Sequence, residues 1–162
     1  MDATGRNQQP VTPKDVLGAF PTWMPNGKRI VFGCERKGSA AICEVEVPGG
    51  RVATIWRAPA DFGVVGLNVS PDGRRILFLG GPDEAPDVYA VGVDGKGLRR
   101  LTTDPAIDGY PAWSPDGRQV IFSSKRSGGT ELYVMNADGS SQTRVTDVVG
   151  HDEAPDWGQG SP

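Results

Sequence analysis

Three short segments of the chain are apolar on consecutive residues instead of alternate ones: Ile30-Val31-Phe32, Ile76-Leu77-Phe78 and Val120-Ile121-Phe122. A strand with one wetted face alternates apolar and polar positions, so an unbroken branched or aromatic triplet predicts a strand buried on both faces. Each triplet follows a turn, Pro25-Asn26-Gly27, Pro71-Asp72-Gly73 or Pro115-Asp116-Gly117, and successive turns are 46 and 44 residues apart. Asn-Gly and Asp-Gly favour tight hairpins because these residues tolerate positive φ. The copies then keep step without a gap: Cys43, Tyr89 and Tyr133 share one register, as do Gly49, Gly95 and Gly139, and Ile55, Leu101 and Val145. Upstream, Phe20-Pro21-Thr22-Trp23 matches Tyr110-Pro111-Ala112-Trp113, and Ala154-Pro155-Asp156-Trp157 repeats the pattern a fourth time. The middle copy is the weakest there, with Val69 in place of the Trp.

Each copy predicts four strands, a to d. Strand a ends at the Trp position. Strand b covers Arg29 to Gly33, Arg75 to Leu79 and Gln119 to Ser123; strand c covers Ile42 to Val47, Val88 to Val93 and Leu132 to Asn136. A short strand d lies around Ile55, Leu101 and Val145. A four-stranded sheet with two apolar faces cannot bury both alone, so the units must stack, and radial stacking of such sheets is a β-propeller. The expected fold is therefore all-β, with three antiparallel blades of about 45 residues each. Residues 1–17 form an N-terminal segment holding a stray outer strand around Gln9-Pro10-Val11-Thr12, residues 18–157 hold the blades and a terminal inner strand, and 158–162 are a tail.

The run Pro-Ala-Trp-Ser-Pro-Asp-Gly-Arg-Gln-Val-Ile-Phe at 111–122, followed by Glu-Leu-Tyr-Val-Met-Asn-Ala-Asp-Gly at 131–139, resembles the repeat of the TolB propeller family. Similar repeats form the propellers of tricorn-type and prolyl-oligopeptidase-type peptidases. The resemblance spans residues 20–157 and implies a propeller of about six blades, of which this chain holds three; the helical domain that accompanies the family's propeller has no counterpart in it. It implies a scaffold for protein partners, in a periplasmic or extracellular setting, though the sequence itself leaves the compartment open.

Composition narrows the function. Seventeen Lys and Arg against 20 Asp and Glu, interspersed, give a net charge of −3 and no basic block, which excludes phosphate-driven nucleic-acid binding. No stretch approaches the roughly 18 apolar residues of a membrane span. There is no Gly-x-Ser-x-Gly elbow, dinucleotide fingerprint, phosphate loop or Cys-x-x-Cys, and His151 is the one histidine, so no catalytic residue, metal or cofactor is expected. Ser70 and Ser114 precede turn prolines at equivalent positions, which favours a turn role over a nucleophilic one. Acidic runs at 83–87 and 152–156 fall at different points of the repeat, as solvated loops do. Cys34 and Cys43 flank the b–c hairpin of the first copy. A cross-strand disulfide is conceivable there, but Ser124 and Tyr133 at the matching positions favour two reduced core thiols.

Because strands alternate direction, b–c and d–a loops share one face of the disc, and these are the longer loops, from Glu35–Ser39 to Asp147–Glu153. Binding residues concentrate on loops held by a rigid scaffold. The candidates there are Arg57, Asp61, Asp108, Arg126, His151 and Asp152, with Asp108 and Asp152 each five residues before a strand-a Trp and so aimed at the channel mouth or else capping turns. The expected function is a non-enzymatic binding module for a protein or peptide partner. Alternatives are a propeller portion of a serine peptidase or lyase with catalysis elsewhere, and a structural half-propeller. Terminal blades with one bare face each predict a homodimer that completes a six-bladed ring.

Overall fold

The computed structural model describes residues 4, 6–82, 84–147, 152 and 154–157, which form twelve strands and no helix. The first sheet comprises β1 (Gly18–Trp23), β2 (Arg29–Arg36), β3 (Ser39–Glu46) and β4 (Ala53–Arg57). The second comprises β5 (Gly63–Val69), β6 (Arg75–Gly81), β7 (Asp87–Gly92) and β8 (Arg99–Arg100). The third comprises β9 (Asp108–Trp113), β10 (Gln119–Ser124), β11 (Glu131–Asn136) and β12 (Thr143–Arg144). Each sheet is an antiparallel meander in chain order, so the three predicted blades are present.

The middle triplet behaves as its pattern requires, while Ile30 and Ile121 in the terminal blades are half-buried. Ile76, Leu77 and Phe78 in the middle blade are fully buried. Ile76 and Phe78 pack with Val31 and Ile42 of the first blade, while Leu77 and Leu79 pack with Val120, Phe122 and Met135 of the third. Phe78 and Phe122 thus each face the preceding blade. At about 25 cal/mol per Å² of apolar surface, these two seams are the dominant stabilising term.

The strand-a–b turns are closed by side chains. Ser70 Oγ–H donates to Asp72 Oδ1 at 2.5 Å and Ser70 Oγ accepts from the Arg75 N–H at 2.9 Å; Ser114 repeats both contacts with Asp116 and Gln119 at 2.6 and 2.9 Å. Both serines therefore hold turns. A second repeated device ties strand c to strand d. Thr102 Oγ1 accepts from the Val88 N–H and Arg100 pairs with Asp87 at 2.6 Å, and in the third blade Thr146 accepts from the Leu132 N–H while Arg144 pairs with Glu131 at 3.1 Å.

The first blade has Ala41, Thr54 and Trp56 at those positions and lacks the clip. It is closed instead by a disulfide between Cys34 and Cys43, with Cα atoms 6.0 Å apart, which corrects the expectation of reduced thiols. The reason lies in the register: Cys34 pairs with Ala41 and Phe32 with Cys43, so the two sulfurs are diagonal neighbours on one face. Ser124 and Tyr133 were a poor guide because they face another blade, whereas the cysteines face none.

Nor is that outer face bare, as expected of a terminal blade. Phe32, Ala41, Cys43 and Val45 are buried, with Val11 and Val16 of the N-terminal segment packed on them. A Cβ on Gly95 or Gly139 would meet the strand-d carbonyl of the preceding blade, Ile55 or Leu101, and at the equivalent Gly49 the neighbour is the Val11 carbonyl. Val11 thus stands where a preceding blade's strand d would run, without forming a strand. At the other end, Ile121, Leu132 and Val134 are only half-buried.

Candidate binding site at the inner strands

The inner strands β1, β5 and β9 lie side by side and carry the same irregularity. Their pairing slips between Ala19 and Thr22, between Val65 and Asn68, and opposite Ile121–Ser123 in β10. At each slip one residue has left-handed backbone: Phe20 at φ 52°, Gly66 at 62° and Tyr110 at 43°. Ala154, the fourth member of the series, stands at φ 52°. Glycine adopts this conformation freely, but an aromatic residue there is strained by about 1–3 kcal/mol. A bulge also turns its side chain out of the pleat. Phe20 and Tyr110 are 47% and 49% exposed as a result, beside the exposed Val65 and Ile107.

These four side chains, with Lys125 and the buried Asp108, surround a hollow of about 330 Å³ at the end of the inner strands where the longer loops begin. Its wall is mainly apolar with a few polar groups, the composition of a ligand recess.

Of the predicted site residues, the structure brings Asp108 and Arg126 together. Arg126 Nη2 donates to both Asp108 oxygens at 3.2 and 3.4 Å and its Nη1 donates to Gln142 Oε1. Its guanidinium lies 4.8 Å from the Tyr133 ring centroid and 5.3 Å from that of Phe122. Asp108 is fully buried, so this pair is an internal anchor for the start of β9. Nearby, burial raises the Asp87 carboxyl above the ordinary carboxylate range, the Asp108 charge adding to the rise while Arg100 opposes it. Arg57 is exposed at the end of β4, and Asp61, also exposed, lines a separate hollow of about 460 Å³ with Phe62 and Glu84. His151 lies outside the described residues. Asp152 is half-buried; its N–H donates to the Thr130 carbonyl at 3.1 Å, and its Oδ2 is buried without a hydrogen-bond partner.

The b–c connection of the first blade is shorter than the predicted loop Glu35–Ser39. Lys37 and Gly38 form a two-residue turn, both at positive φ, the geometry that suits the twist of a hairpin. The sequence reading missed Phe20, Val65, Ile107 and Tyr110. A signal existed: an aromatic precedes Pro-x-Trp in two copies, where a period of two would place it in the sheet. Among the described residues no group of three His, Cys, Asp or Glu side chains could hold a metal.

The chain is 37% identical over 112 residues to the Tol-Pal system protein TolB of Anaeromyxobacter dehalogenans strain 2CP-C, covering 69% of this chain and 25% of that protein. The homologue in Anaeromyxobacter sp. strain K gives the same identity and coverage, so the chain spans about a quarter of the length of the curated relatives it matches. The crystal structure of TolB from Acinetobacter baumannii superposes with a TM-score of 0.74 at 25% identity, over 85% of this chain and 34% of that one. Puromycin hydrolase superposes with a TM-score of 0.70 at 20% identity, over 86% of this chain and 25% of its own, a likeness of fold alone. The family model described as PD40, TolB beta propeller domain, matches residues 58–160, and the chain belongs to that family.

Proposed function

We propose that the chain is a non-enzymatic binding module whose partner is a protein or peptide, held at the mouth formed by the inner strands. The observation that carries this reading is the strained exposure of Phe20 and Tyr110 beside Val65 and Ile107. Keeping aromatics at left-handed positions costs stability, and such strain persists where function uses it. Apolar side chains that stand in water around a recess supply the anchors of a protein contact, and Lys125 at the rim supplies orientation. The curated relatives are named as components of a Tol-Pal system, which supports a protein as the partner. Arg57 and Asp61, exposed on the same side, remain candidates for its periphery.

Selection of a random peptide library against the chain tests this reading. Enriched peptides should bind at micromolar affinity and lose at least tenfold on Phe20→Ala/Tyr110→Ala, about 1.4 kcal/mol. Peptides that bind the double variant equally well would refute the site.

A second reading, assembly into a six-bladed ring of two copies, draws on the outer face of the third blade. Ile121, Leu132 and Val134 are half-buried there, and Val145 is exposed.

A further inference from the structure

Arg75 lacks the partner that its counterpart in the first blade has. There Arg29 opens strand b and pairs with Glu44 of β3 at 2.7 Å, and Ala53 stands opposite Glu44 on β4. The second blade puts Arg75, Ala90 and Arg99 at these positions, with Arg99 opposite Ala90 in the β7–β8 ladder. The third puts Gln119, Val134 and Thr143 there. The first blade thus holds both charges and the third holds neither. The middle blade keeps the arginine, has alanine in place of the carboxylate, and adds a second arginine across from it.

A hollow of about 330 Å³ opens at this place, between the second and third blades. It lies by the turns that join β7 to β8 and β11 to β12, and because strands alternate direction these turns are on the face opposite the channel mouth. Ala90, Leu101 and Ala137 supply apolar wall, and Arg75, Lys96 and Arg99 supply three cations. The one carboxylate in its lining, that of Asp138, accepts from the Ser140 N–H at 3.0 Å and the Ser140 hydroxyl at 2.6 Å, so it serves its own turn. Asp72 feels the Arg75 charge, but its Oδ1 accepts from the Ser70 hydroxyl and the Arg74 N–H. The corresponding hollow of the first blade is balanced, Arg29 and Arg51 against Glu44 and Glu46.

Arg75 is half-buried and its guanidinium is fixed in place. It lies 4.4 Å from the Trp113 ring centroid, and its Nη1 donates to the Ala137 carbonyl at 3.2 Å. A ring face and a neutral carbonyl orient the fork but leave its charge and most of its five donors unmatched. Among the described residues Arg75, Lys96 and Arg99 form no ion pair. An oriented guanidinium suits a carboxylate, which it can bind through parallel hydrogen bonds.

We propose that this hollow binds an acidic segment of a partner protein. A glutamate side chain enters beside Ala90 and meets Arg75 as Glu44 meets Arg29, and a neighbouring carboxylate meets Lys96 and Arg99. The first blade demonstrates that the repeat seats a glutamate on this arginine. The apolar wall takes the methylenes, and two further cations at the rim call for more negative charge than one side chain carries. The surface is separate from the mouth, so it stands whether or not the aromatic pair there holds a peptide.

Proton–nitrogen correlation spectra of the full chain, titrated with a capped alanine hexapeptide carrying two central glutamates, test the assignment. The peptide should shift the Arg75 Nε–H and the amides of Lys96 and Arg99 at submillimolar concentration. The same peptide with glutamines should not, and added salt should weaken the effect. Ala90→Glu supplies the carboxylate from within and should weaken peptide binding at least tenfold, because the internal group competes at high effective concentration. Lys96→Ala/Arg99→Ala alters exposed side chains alone and should weaken binding about three- to tenfold; if Ala90→Glu does not fold, this variant decides. A glutamine peptide that binds equally well, or variants that bind like the wild type, would overturn the site. Inorganic phosphate or free glutamate that competes at the peptide's own concentration would overturn the acidic segment in favour of a small anion. Absence of shifts at millimolar peptide would overturn the proposal outright.

Discussion

The carbonyl oxygen of Ile55 stands 2.1 Å from the point where a Cβ on Gly95 would lie, with Gly95 itself at φ +76°. One blade's c–d turn therefore closes on the previous blade's strand d through a glycine that has no substitute. Gly95→Ala should cost about 2–4 kcal/mol, since backbone must move and a side chain must enter left-handed space. Gly27→Ala is the control: it shares the positive φ but meets nothing within 4 Å, so about 1 kcal/mol is expected. Urea denaturation of the two variants measures the difference, and equal costs would show that the seam can open freely there.

Phe122 is the corresponding test of the two-sided blade. It is fully buried between Leu77 and Tyr133, under the Arg126 guanidinium. Phe122→Ala should cost about 3–5 kcal/mol, the loss of transfer energy plus a cavity. A loss below about 1 kcal/mol would mean that the seam between the second and third blades collapses onto the gap.

The disulfide should matter to the first blade alone. A bridge between residues 9 apart removes about 2.5 kcal/mol of unfolded-chain entropy. Replacing both cysteines by serine should lower the temperature at which the first blade melts and leave that of the third blade unchanged. Hydrogen exchange should quicken in β2 and β3 and leave β10 and β11 unchanged. Uniform loss of protection would show that the blades unfold as one unit.

The repeat was legible because its devices are local. A consecutive apolar triplet and an Asn-Gly or Asp-Gly turn are read within a few residues in all three blades, and a Ser before the turn proline in the second and third. The disulfide and the covered outer face were not legible, because both follow from what Phe32 and Cys43 face across space, and the repeat predicts a blade where the chain places Val11 and Val16. The aromatic pair at the channel mouth was hidden for a different reason. A single inserted residue reverses which side of the sheet a position faces, and the aromatic before Pro-x-Trp in two copies marks the position without showing that a residue is inserted there. Asp108 and Arg126 were found as candidates by position, and their mutual pairing needed the β9–β10 register.

Acid titration separates two kinds of carboxylate. The Ser70 hydroxyl and then the Arg74 N–H hold Asp72 below the ordinary carboxylate range, and Ser114 and the Arg118 N–H do the same for Asp116. A depressed folded value means stability that is fully present above the unfolded value of 3.8 and lost as pH falls through the folded one. Asp87 is opposite in sign: burial raises it, so its contribution is present below 3.8 and lost as pH rises through the folded value. Asp72→Asn/Asp116→Asn should therefore flatten the acid limb of stability against pH below about 4, and Asp87→Asn should steepen its rise above that. Urea midpoints taken across pH 2–6 would decide it, and parallel curves for all variants would remove these groups from the acid response.

The strain at the bulge predicts a reversal in the usual ranking of alanine and glycine. In an ordinary strand interior glycine is less stable than alanine by about 0.5–1 kcal/mol, because it leaves more backbone freedom to the unfolded chain. At φ 43° and 52°, where Tyr110 and Phe20 stand, any Cβ costs about 1–2 kcal/mol and glycine avoids that cost. Tyr110→Gly should therefore be more stable than Tyr110→Ala, and the same order should hold at Phe20. At Gly66, which already has φ 62°, alanine should lose stability by a similar amount. Both substitutions at Tyr110 remove the ring, so both should weaken selected peptides alike, and stability and binding then vary separately at one residue. A glycine variant less stable than its alanine partner would show that the bulge relaxes once the ring is gone, and that Tyr110 itself holds the left-handed backbone in place.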